Sequence, residues 1–208
     1  MTDRPSHVLV PGGRTLPRGF YARDALRLAR ALLGKVLVHE CPEGRTAGRI
    51  VEVEAYRGPH DRAAHTYGGR RTPRNETMWG PPGHAYVYFV YGMHHCVNVV
   101  AGAEGDPEAV LVRGLEPLEG LALMRARRGA TVRDADLLRG PANLCKGMGI
   151  DRRHDGMDLV GGALRVLDAP AVPARLVRRT PRIGVAYAGE DAALPWRLHV
   201  EGAAGVSR

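Results

Sequence analysis

Residues 48–100 constrain the fold more than any other part of this chain, because they alternate at the period of a strand, turn, and alternate again. In residues 49–56, Val51, Val53 and Ala55 interleave with Glu52, Glu54 and Tyr56, a spacing that sends neighbouring side chains to opposite faces of a sheet. Two carboxylates and a phenol therefore share one face. Taken alone, Glu-x-Glu on a strand reads as a solvated outer face, since carboxylates usually stay in water. Downstream, residues 84–91 are rich in β-formers, Gly92 and Met93 supply a turn, and residues 94–100 resume a strand, which predicts a β-hairpin. Its first strand aims Tyr86, Tyr88 and Val90 one way and Val87, Phe89 and Tyr91 the other. Tyr88 then suits the wall of a pocket and Tyr91 the tip of the hairpin, with ordinary cross-strand aromatic packing as the competing use of both.

Between these strands lies GGRRTPRN, residues 68–75, whose paired glycines allow close backbone approach and whose arginines suit a phosphate chain. By itself it is only a basic turn. The 208-residue chain carries a formal net charge of +8, which favours an anionic partner such as nucleic acid. Nearly all of that charge is arginine, a bias that phosphate recognition and a GC-rich genome would both produce. No apolar run reaches the roughly 18 residues of a spanning helix, and the N-terminus lacks a signal-peptide core, so the chain reads as soluble, cytoplasmic and not secreted. Cys41, Cys96 and Cys145 are odd in number and far apart, which predicts free thiols rather than disulfides or a zinc site. His94, His95 and Cys96 alternate faces and cannot converge on one ion, so neither a metal nor another cofactor is expected.

The remaining pattern predicts an α+β single domain: a curved, mainly antiparallel sheet, a protruding β-hairpin and a few flanking helices. No linker or repeat divides it, so residues 16–208 form one domain behind an extended lead-in, residues 1–15. Helical spacing spans residues 22–33 and stops at Gly34, a strand follows at 35–39, and Glu43-Gly44 turns the chain into the central strand. Residues 108–115 read as a strand in which Arg113 is a cation among apolar neighbours, in need of a partner. Pro117 then opens a helix with Leu118, Leu121 and Met124 as its apolar stripe, and Gly140-Pro141 opens another that runs to Met148. Short strands fall at residues 164–167 and 198–200.

The motifs RIVEVEAYRGP, DRAAHTYGGRRTPRN, YVYFVYGMHHCVN, VLVRGLEPLEGL and PRIGVAYAGE occur here in order between residues 49 and 190, within a likeness that covers residues 16–200. In these the chain resembles the alkyladenine (3-methyladenine) DNA glycosylases, which excise damaged purines from duplex DNA. The resemblance implies a monomeric enzyme acting on double-stranded DNA, with Glu54 activating a water, and with Arg113 and the main-chain carbonyl of Ile183 holding that water. Residue pattern alone leaves Glu52 and Glu54 as rivals. By the same resemblance Tyr56, His65 and Tyr88 wall the base pocket, Asn98 meets the minor-groove edge of the flipped base, and Tyr91 intercalates. Arg70, Arg71, Thr72 and Arg74 fall to the DNA backbone. Neither Lys35 nor Lys146 lies in the central stretch, so no amine is placed for a Schiff base and a monofunctional enzyme is implied. An arginine beside Glu54 is expected to lower its pKa. His94 and His95 depart from the more aromatic pair of some relatives. A non-catalytic module that stacks on single strands and an RNA-associated domain are the competing readings; the first has no use for a buried Glu54 beside Arg113.

Overall fold

The computed structural model describes residues 13–90 and 92–207. Among the described residues eight strands form one antiparallel sheet: β1 Val36–Cys41, β2 Gly44–Tyr56, β3 Ala85–Val90, β4 His94–Ala101, β5 Glu108–Glu119, β6 Leu164–Leu167, β7 Val177–Thr180 and β8 Arg197–Val200. The main path runs β3-β4-β5-β2-β1-β6, and β8 pairs with both β2 and β7. Long β2 is the hub. Its first half pairs with β1, residues 52–54 pair with β8, and β5 covers the opposite edge. The strand is buried on both faces over residues 50–55, so the solvated outer face that Glu-x-Glu suggests in isolation is absent.

The described residues include four α-helices: α1 Arg18–Tyr21, α2 Ala25–Leu32, α3 Leu121–Arg128 and α4 Pro141–Met148. Helix α2 starts where the Asp24 carboxylate accepts the Arg27 amide hydrogen at 2.9 Å, and it buries Ala25, Leu28, Ala29 and Leu32 at helical spacing. These pack with Ile50, Val53 and Val112 in the main core. Gly34 follows at φ 89°, a left-handed conformation that suits glycine. Helix α4 has Pro141 in its first turn, where a missing N–H is harmless. Among the described residues no helix is long and apolar enough to cross a membrane.

Three boundaries differ from the sequence reading. Pro117 opens no helix: β5 continues to Glu119, and α3 begins only after Gly120, whose φ is 79°. The proline is tolerated because the β2–β5 register shifts between Ala47 and Gly48, opposite it. The helix expected from residue 22 starts at Ala25 as α2, and the single turn α1 precedes it. Strand β7, VRRT, has no apolar alternation and escapes a reading based on periodicity. At the N-terminal end Thr15 bridges Leu167 and the Leu16 amide donates to Val166 at 3.0 Å; residues 1–12 of the expected lead-in lie outside the described residues.

Candidate active site

Register places the site. Tyr86 pairs with Asn98, Asn98 with Leu111, and Leu111 with Glu54, so one lateral row crosses β3, β4, β5 and β2 on the sheet face away from the main core. Tyr56 lies one step along, opposite Ala109, and Tyr88 opposite Cys96. Two compensating irregularities bring Arg113 into this row's neighbourhood. Between Ile50 and Glu52 the extra residue is Val51 on β2; between Glu52 and Val53 it is Arg113 on β5. A bulge re-aims the side chain it carries. Here it sets one guanidinium against two carboxylates, with Nε 3.2 Å from Glu52 Oε1 and Nη1 3.3 Å from Glu54 Oε2.

The two glutamates have no solvent exposure, yet their surroundings differ. Glu52 is saturated: beyond Arg113 it takes Arg197 Nε at 2.6 Å, the Ser207 amide at 2.6 Å and the Ser207 hydroxyl at 2.7 Å. The C-terminal segment reaches it because Gly114 and Gly205 cross at backbone distance; a Cβ on Gly114 would collide with the Gly205 carbonyl. Burial works to raise the Glu52 pKa, but the Ser207, Arg197 and Arg113 contacts outweigh it and hold the carboxyl below its ordinary value. Glu54 accepts the Ile183 amide at 2.7 Å and the Tyr56 hydroxyl at 2.9 Å, besides the Arg113 ion pair. For Glu54, burial is the larger effect and raises the pKa, with Arg113, Ile183 and Tyr56 opposing it incompletely. Arg113 lowers it as expected, but burial outweighs the arginine, so the net shift is upward. Arg113 itself stays a cation, since the attraction of Glu54 and Glu52 overcomes the burial that would lower its pKa.

Beside Glu54 the sheet face opens into a narrow pocket lined by Tyr56, His65, Tyr88 and Asn98, all named from sequence, and also by Met78, Tyr86 and Tyr187. His65 is held by the Tyr86 hydroxyl, 2.8 Å from Nδ1, and packs edge-on to the Tyr88 ring at 4.6 Å between centroids. Burial, then Arg74 and Arg70, lower its pKa to about 4, so the imidazole is neutral at pH 7. Asn98 is buried, and its Nδ2 donates to the carbonyl of Tyr86 at 3.1 Å. Tyr86 is legible in the sequence because it shares strand parity with Tyr88, and Tyr187 because it falls within the PRIGVAYAGE motif; Met78 has no sequence pattern of its own.

The methylpurine-DNA glycosylase (MPG) family profile matches residues 19–204. The chain belongs to that family. It is 53% identical over 194 residues to a protein of Anaeromyxobacter dehalogenans, covering 93% of this chain and 86% of the relative. It is 54% identical over 193 residues to one of Burkholderia lata, covering 91% and 89%, and 47% identical over 194 residues to one of Clostridium acetobutylicum, covering 90% and 94%. All three relatives carry the provisional name 3-methyladenine DNA glycosylase. Family membership makes the chain a DNA glycosylase, a DNA-repair hydrolase of N-glycosidic bonds.

In this glycosylase the basic loop borders the pocket. Arg70, Thr72 and Arg74 line a shallow depression with His65 and Tyr187, and Arg74 stands 5.6 Å from the Tyr88 ring centroid. Arg71 turns away to a bidentate ion pair with Glu76, its Nε 3.0 Å from Oε2. Gly68 and Gly69, at φ 65° and 79°, shape the loop. Ile183 contributes its amide to Glu54, a contact additional to the carbonyl role expected of it. Tyr91 lies outside the described residues, while the neighbouring Phe89 stacks on His95 at 5.0 Å on the hairpin's other face. His95 and Cys96 fall on opposite faces, and among the described residues no three His, Cys, Asp or Glu side chains are grouped to hold a metal ion.

Proposed function

We propose that this glycosylase extrudes alkylated or deaminated purines, of the 3-methyladenine, hypoxanthine and ethenoadenine type, from duplex DNA and hydrolyses their glycosidic bond with a water activated by Glu54. The observation that carries the reading is the divergence of two adjacent buried carboxylates, one held low by saturating donors and one pushed up. Such divergence separates a structural anion from a proton acceptor. Glu54 accepts two hydrogen bonds and carries the Arg113 ion pair besides, and an ionised carboxylate has about four lone-pair sites, which leaves capacity for a water.

The step balances simply. Water oxygen bonds to C1′ as its proton passes to Glu54, and the C1′–N bond breaks with its electron pair leaving on the purine. A cationic 3-methyladenine leaves as the neutral base and the Glu54 proton returns to solvent; a neutral hypoxanthine or ethenoadenine leaves as an anion that takes up one proton, and an abasic sugar results in either case. Negative charge on Glu54 also favours the oxocarbenium-like transition state. No lysine approaches the site, so nothing carries the reaction on to strand cleavage. Arg113 orients Glu54, and the Ile183 carbonyl completes the water's coordination.

Stacking supplies recognition. Electron-poor alkylated purines fit between the rings of Tyr56 and Tyr88 with neutral His65 at the edge. Tyr91 fills the gap left in the duplex. Arg70, Thr72 and Arg74 contact phosphates, and Arg71 joins them by releasing its exposed ion pair with Glu76, so affinity falls steeply with salt. One chain carries every group named, so the enzyme works as a monomer, in the cytoplasm with its DNA.

Two outcomes follow here. Because Glu54 must be ionised to take a proton and its pKa is raised, the single-turnover rate falls on acidification with a limb above the ordinary carboxylate range of about 4.3. Glu52→Gln keeps the limb, moved to lower pH because a negative neighbour that raises the Glu54 pKa is gone, and retains much of the rate; loss of the limb and of the rate in Glu52→Gln assigns the base to the wrong residue. Asn98→Ala raises excision of guanine relative to hypoxanthine, measured as single-turnover rates on otherwise identical duplexes. Its Nδ2 is committed to the Tyr86 carbonyl, so the side chain is pinned and excludes the 2-amino group by bulk. An unchanged ratio in a folded variant removes Asn98 as the gate.

A further inference from the structure

We propose that the buried Asp61–Arg182 pair is a positioning device for Glu54, a role that rests on Glu54 being the base. Arg182 Nη1 lies 2.6 Å from Asp61 Oδ2 and Nη2 lies 2.8 Å from Oδ1, a bidentate pair in which both side chains have no exposure. The pair ties together three pieces of chain, β2, the turn at residues 57–63 and the segment that carries Arg182. Arg182 Nη1 donates to the carbonyl of Ala55, between Glu54 and Tyr56 on β2, at 3.0 Å. Its guanidinium is 4.8 Å from the Tyr56 ring centroid and 4.9 Å from that of Trp196. Asp61 accepts the amides of Arg57 at 3.0 Å and Ala63 at 2.9 Å, which fixes the turn whose Ala63 lines the base pocket.

The residue after Arg182 is Ile183, whose amide reaches Glu54 Oε1. Anchoring the guanidinium on β2 therefore fixes the peptide that donates to the base. That amide favours the ionised carboxylate and settles which of its lone pairs remain for water. A buried ion pair is a weak stabiliser beside an apolar replacement, so geometry is the property to test.

The test uses Arg182→Lys, which keeps the charge and loses the fork, and the double variant Asp61→Asn/Arg182→Gln, which keeps a neutral hydrogen-bonded pair. Single-turnover base release from a hypoxanthine duplex is followed against pH, alongside damaged-duplex Kd and thermal melting. The expected result is a loss of about tenfold near neutrality, the size of one charge-assisted hydrogen bond. The acid limb should move to higher pH as the Ile183 amide slackens, the rate should recover in alkali, and Kd should stay within about threefold. A folded variant with the wild-type rate and limb overturns the proposal, as does an equal loss of rate and binding with the limb unmoved. Failure of both variants to fold also counts against it, since that makes the pair a stability element. Full activity in Glu54→Gln would instead sink the assignment of the base, whereas an inert Glu54→Gln beside unaffected Arg182→Lys contradicts the positioning role alone.

Discussion

Glu54→Gln is expected to lower single-turnover base release by about 10²–10⁴, the usual contribution of a general base, while damaged-duplex affinity stays close to that of the wild type. The amide keeps the size of the side chain and can still accept the Ile183 hydrogen, but it cannot take a proton from water. Stability should move the other way or not at all. A carboxyl whose folded-state pKa is raised above its unfolded value disfavours the fold progressively as pH rises through that value. The neutral amide removes this penalty, so the melting temperature at pH 7 should not fall. A variant that loses activity and stability together would point to lost packing rather than lost base.

The second large effect is on the fold. Arg113→Met should cost roughly 3–5 kcal/mol at neutral pH, because it strips the shared cation from two carboxylates with no exposure. The loss should shrink toward acid, where Glu54 takes up a proton and needs no counter-charge. The sign follows from linkage: without Arg113 the folded-state carboxyl pKa rises further, and stability drains away as pH climbs through it. Denaturant unfolding at pH 5 and pH 7.5 measures this, and the double variant Arg113→Met/Glu54→Gln should regain part of the difference. Equal destabilisation at both pH values would mean that Arg113 acts through packing and not charge.

Much of this arrangement is legible in the residues themselves. The period-two alternation of β2, β3 and β4 and the Gly92-Met93 turn specify the hairpin, and Arg113 among apolar neighbours announces a buried partner. What was hidden depends on distant chain. Ser207 reaches Glu52 from 155 positions away and the Ile183 amide reaches Glu54 from 129, so no local pattern could separate two glutamates that are two residues apart. The pKa direction of Glu54 was misjudged for the same reason. Coulomb attraction to Arg113 can be read from sequence, but complete burial cannot, and burial dominates. Pro117 misled because a local register shift admits a proline that regular pairing would refuse. The pocket was legible through the tyrosines and His65, whereas Met78 arrives by a segment that carries no periodicity.

Incubating the protein with duplexes that each carry one 3-methyladenine, hypoxanthine or ethenoadenine, then cleaving with alkali, tests the central claim most directly. The account predicts free damaged base and a strand break that appears only after alkali, from wild type and not from Glu54→Gln. Breaks without alkali, or equal release by Glu54→Gln, would contradict a monofunctional hydrolysis driven by Glu54.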